Sequence, residues 1–164
     1  MKRIWVLLVL AAPLIAMADS PDASFYKKAA EGGIAEIEAG NLAQTKADSQ
    51  KVKDFGAMMV KDHSAANDKL KAVAMTKDIT LPTSSSVGQM ATKAKLEVLT
   101  GDTFDKSYVK GMIEDHKADI KEFQKEASQG KDPDAKAFAA ATLPTLQAHL
   151  TKIQSIAAAA GIKD

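Results

Sequence analysis

MMVKDHSAANDKL, Met58 to Leu70, and GMIEDHKADIKEF, Gly111 to Phe123, decide how this chain is read. In each, apolar residues recur every three or four positions, the spacing of one helix face. A histidine stands inside each stripe, where a helix normally spends Leu, Ile, Ala or Phe. The two segments align at a constant offset: Phe55 with Tyr108, Met59 with Met112, Asp62 with Asp115 and His63 with His116. Agreement of both Asp-His pairs at one offset favours a duplicated helical hairpin over chance likeness.

Working outward, Ala23 to about Gln44 is helical, with Phe25, Ala29, Gly33, Ile37, Gly40 and Ala43 on one face. Glu36 projects into that face, between Ala29 and Gly33. Asp48-Ser49 has the chemistry of a helix cap and heads a second helix to about Lys77. Pro82 and the following serines form a linker. Val87 to Leu99 is a shorter helix, broken by Gly101. Asp102 is expected to cap a third long helix, Phe104 to about Ser128. Asp132-Pro133 opens a fourth, to about Ala160, as cap and first helical residue. Its stripe is Phe138, Thr142, Leu146, Ile153 and Ile156, with His149 among them. No useful stretch alternates with the period of a strand. The pattern predicts an all-α fold: an antiparallel four-helix bundle, ferritin-like, with an extra short helix before the third long helix.

Lys2-Arg3, the apolar run Ile4 to Ile15 and the small-x-small site Ala16-Met17-Ala18 have the form of a signal peptide. The run is shorter than the roughly 20 residues of a membrane span. The expected organisation is therefore a signal peptide over 1–18 and one helical-bundle domain over 19–164. The mature chain would lie in the periplasm or be secreted, after cleavage near Ala18, without a transmembrane segment. Outer-membrane association stays open. The chain has no cysteine, which removes disulfides and thiolate chemistry. Cleavage would also remove Arg3, leaving no guanidinium to read bases or phosphates bidentately. The lysines are interspersed with acids, so no nucleic-acid partner is expected.

The inward histidines carry the site hypothesis. Neutral imidazole is a common metal ligand, and bundle-core sites draw one side chain from each facing helix. His63, His116, His149 and Glu36 come from the four long helices and would make a four-coordinate site for one zinc or copper ion. Asp62 and Asp115 are expected at the helix edge, where they pair with lysines or accept a hydrogen bond from a histidine on a neighbouring helix. Di-iron bundles use Glu-x-x-His; here Val60, Ile113 and Leu146 stand three before the histidines, which disfavours a di-iron site. There is no phosphate loop, Gly-x-Ser-x-Gly or His-Glu-x-x-His. A metal- or stress-handling protein is thus favoured over an enzyme. The competing reading is an envelope interaction module, bound to a partner protein or a second copy, whose histidines only complete the core.

The segments FYKKAAEGGIAEIEAGNLA (Phe25 to Ala43), KVKDFGAMMVKDHSAANDKL (Lys51 to Leu70), FDKSYVKGMIEDHKADIKEF (Phe104 to Phe123) and LPTLQAHL (Leu143 to Leu150) resemble the bacterial domain-of-unknown-function 4142 family. The resemblance covers nearly all of the chain after the leader. It implies an exported protein with a ferritin-like helical bundle, often labelled an outer-membrane protein, and implies no reaction.

Overall fold

The computed structural model describes residues 21–163; the expected signal peptide and its cleavage point near Ala18 lie outside them. The described residues form five helices and no strand: α1 (Pro21–Lys46), α2 (Gln50–Met75), α3 (Val87–Glu97), α4 (Gly101–Gln129) and α5 (Pro133–Ala159). Among them, no helix is long and apolar enough to cross a membrane.

Local chemistry sets the ends. Asp132 caps α5 by accepting from the Asp134 amide at 2.9 Å, with Pro133 in the first turn. Ser86 and Gln89 form a reciprocal capping box at α3. Two starts differ from expectation. Ser49 stands at the N-cap of α2 without a side-chain bond. Asp105 of α4, a buried carboxylate, instead holds the residues at the start of α2 by accepting from the amides of Asp48 (3.2 Å) and Ser49 (2.8 Å). α4 begins at Gly101, with Thr100 rather than Asp102 at the N-cap. Gly101 has φ +59°, which glycine adopts without penalty.

α1 packs chiefly on α2, and α4 on α5. Gly33 faces Asn67 while Gly40 faces Gly56 and Val60, so α2 descends as α1 rises. The approach is close. A Cβ on Gly40 would stand 2.7 Å from the Gly56 carbonyl oxygen, and one on Gly56 equally near that of Gly40. Gly40→Ala should therefore lower stability by about 1–3 kcal/mol despite alanine's better helix propensity. A urea midpoint equal to that of the parent would contradict the contact.

The core has two apolar layers. One gathers Val52, Phe55, Met59, Phe104, Tyr108, Ile113 and Ile153. The other gathers Phe25, Tyr26, Leu70, Phe123, Phe138 and Leu146. Between them, on each long helix, lies one buried polar residue: Glu36 on α1, His63 on α2, His116 on α4 and His149 on α5. The four inward positions expected from periodicity thus form the polar level that separates the layers.

Candidate metal centre

The three histidines meet. Ring centroids are 5.8 Å apart for His63 and His116, and 5.5 Å for each remaining pair. One nitrogen from each ring lies within 4.8 Å of the other two. Phe55 closes one side, with its ring edge-on to His116 and His149 at 6.4 Å.

Hydrogen bonding orients two of the rings. Nδ1 of His116 lies 2.9 Å from the Met112 carbonyl oxygen. That oxygen can only accept, so the neutral ring carries its proton on Nδ1. Nε2 of His149 lies 3.0 Å from Oδ2 of Asp62, which by the same logic puts the proton on Nε2. The nitrogens left over, His116 Nε2 and His149 Nδ1, face each other at 3.4 Å. In these tautomers both present lone pairs and no hydrogen lies between them. The third nitrogen, Nε2 of His63, is buried without a hydrogen-bond partner. One nitrogen of each ring thus shares a small volume, and between His116 and His149 it holds no donor.

Electrostatics keep the rings neutral. Burial pushes His63 down to about 3, with the neighbouring imidazoles adding to the shift. Burial and His149 push His116 down to about 4, against the Met112 carbonyl, which raises it. Burial also lowers His149, opposed by Asp62. Near neutral pH all three are unprotonated, the form that ligates.

Glu36 sits elsewhere. Its Oε1 lies 3.7 Å from Nδ1 of His116, the side turned toward Met112 and away from the other rings. Burial, reinforced by Asp119 and Asp115, holds its carboxyl well above the usual range. Its Oε2 and the hydroxyl of Tyr108 are buried without partners. The chain therefore brings three of the four expected ligands together and sets the fourth behind one of them. Asp62, from α2, takes the accepting role that its pairing with a histidine suggested. Asp115 borders a cavity between α1, α3 and α4 instead. The Met112 carbonyl and Asp119 had no sequence signal beyond helical spacing.

Two nitrogens bound to one ion at ~2.0–2.1 Å with tetrahedral angles stand roughly 3.4 Å apart. The His116–His149 pair already has that separation, and a modest shift of His63 would complete a three-nitrogen face.

The family described as a domain of unknown function, DUF4142, matches residues 10–156. No curated protein matches the chain. Among solved structures, it is similar to a DUF305 protein from Streptomyces coelicolor described as secreted, at 18% identity and TM-score 0.74, over 90% of this chain and 98% of that one. It is also similar to CopM in the Cu(I)-bound form, at 14% identity and TM-score 0.68, over 83% of this chain and 94% of that one. CopM in an Ag-bound form gives 14% and 0.67 over the same shares. At such identities the likeness is one of helical fold.

Proposed function

We propose that this chain, which belongs to the DUF4142 family, is an exported binding protein that holds one copper(I) ion in its core through His63, His116 and His149. The observation that carries the reading is the pair of opposed lone pairs, His116 Nε2 and His149 Nδ1, at 3.4 Å. A core without a ligand gains nothing from that arrangement, whereas an ion would satisfy both nitrogens and His63 Nε2 at once. Charge favours copper(I) over zinc(II): the ligand set is neutral and walled by Phe55, and a single charge costs less to desolvate than two. Imidazole suits either metal. Copper and silver in the similar CopM structures support the same direction.

In this reading Asp62 fixes the tautomer of His149 from outside the ligand set, and Glu36 backs His116 from behind. The rest of the proposal is a single domain over 19–164, freed by cleavage near Ala18 and delivered to the periplasm or beyond. Its four long helices form an antiparallel, ferritin-like bundle. The protein binds rather than catalyses.

Metal analysis of untagged protein tests the proposal. One copper per chain is expected, and none in the His63→Ala/His116→Ala/His149→Ala variant. Absence of stoichiometric metal in the parent, or equal uptake by the variant, would overturn it. Asp62→Ala should weaken copper binding about 10- to 100-fold by releasing the His149 ring, measured by competition with a chromophoric chelator.

A further inference from the structure

His63 differs from its two partners in facing an opening. It lines a cavity of about 280 Å³ whose walls include neither His116 nor His149. The cavity follows the groove between α1 and α4, where successive turns pair residues. Lys28 bonds Glu122 at 3.1 Å, both partly exposed. One turn inward, Gly32 faces Asp119: a Cβ on Gly32 would lie 4.0 Å from Oδ1 of Asp119 and 3.9 Å from Nε2 of Gln89 on α3. A further turn inward, Glu36 meets His116 at the level of the three rings. Surface, waist and histidine level thus follow one another at helical spacing.

The waist has unbalanced charge. Burial, together with Asp115 and Glu122, pushes the Asp119 carboxyl up to about 7. At the inner end stands His63, 7% exposed, whose Nε2 is buried without a hydrogen-bond partner. Asp119 and His63 both line this cavity, a passage wide enough for several waters, so a cation entering it meets a carboxylate and an imidazole.

We propose that this cavity is the port through which a copper(I) ion reaches the three histidines, with Asp119 as its intermediate ligand and His63 as the first imidazole to receive it. The proposal rests on the metal-binding reading above. Asp119 acts here on the rate of exchange, and the resting ligand set stays the three nitrogens. Water and Asp119 are displaced in turn as Cu–N bonds form, with no change of oxidation state.

The test times loading of untagged protein with copper(I) from its acetonitrile complex, and stripping by excess bathocuproine disulfonate. Gly32→Leu places a side chain across the waist; a helical glycine replaced by leucine gains helix propensity, and the flanking atoms leave room for the Cβ. It should slow loading and stripping together by about tenfold or more, leaving final occupancy and affinity unchanged. Asp119→Asn should slow loading by about three- to tenfold by weakening the attraction for the cation. Gly111→Leu, on the neighbouring cavity and with nothing within 4 Å of its Cβ position, should leave both rates as in the parent. Parent rates in Gly32→Leu, or slowing confined to Gly111→Leu, would overturn the port while stoichiometric copper leaves the binding proposal standing. A parent protein that takes up no copper would overturn both.

Discussion

His63→Leu should make the metal-free protein more stable by about 1–3 kcal/mol while removing its copper binding. The side chain is 7% exposed and its Nε2 has no partner, so burying the imidazole carries a desolvation cost that nothing in the metal-free core offsets. Leucine occupies similar space between Met59 and Leu70 without that cost. In the parent, a bound ion would supply the missing partner. Saturation at about a thousand times the dissociation constant would add roughly 4 kcal/mol, or about 10 °C in Tm for a domain of this size. Guanidinium titrations in the presence of a chelator, and melting curves with one equivalent of copper(I), measure the two halves. A histidine that only completed the core would give the reverse pattern: lower stability in the variant, and no gain from metal in the parent.

Copper affinity should fall far less steeply between pH 7.5 and about pH 5 than it would for solvated imidazoles. Protons and the ion compete for the same nitrogens, but His63 and His116 titrate at about 3 and 4 in the folded chain, and burial lowers His149 as well. Three exposed imidazoles with pKa ~6.5 would each lose about thirtyfold at pH 5, or roughly 3 × 10⁴-fold together. Competition titrations across that range separate the cases; a steep loss below pH 6.5 would show that the ligands are solvated histidines. The same shift governs folding, and its sign follows from proton counting. Between about 3 and ~6.5 the unfolded chain protonates His63 and the folded chain does not, so acid favours unfolding. The stability gap between His63→Leu and the parent should widen by up to ~1.4 kcal/mol per pH unit as pH falls below 6.5, and stay constant above it.

Periodicity carried the sequence reading a long way. Apolar stripes located the four long helices, and the same stripes turned His63, His116, His149 and Glu36 inward, as they are found. Helical spacing fixes direction from an axis to within tens of degrees, which suffices for burial. It does not fix which side of a neighbouring ring a carboxylate reaches, so Glu36 was expected among the histidine nitrogens and lies behind His116. Tautomers are likewise tertiary facts: the Met112 carbonyl and the Asp62 carboxylate select them. The cap of α2 shows the same limit. Ser49 has suitable chemistry, but Asp105, distant in sequence, answers its amide.

The chain has no cysteine, and its three core histidines are divided between its two helical hairpins. His63 belongs to the first, His116 and His149 to the second. An ion held by all three would staple residues far apart in sequence, closing a chain loop from position 63 to position 149. Cross-links over loops of about 100 residues are worth roughly 4–5 kcal/mol in the chain-entropy account. Metal occupancy would then act as a reversible counterpart of the disulfide this sequence cannot make, tightening the molecule when copper is present and relaxing it when copper is withdrawn.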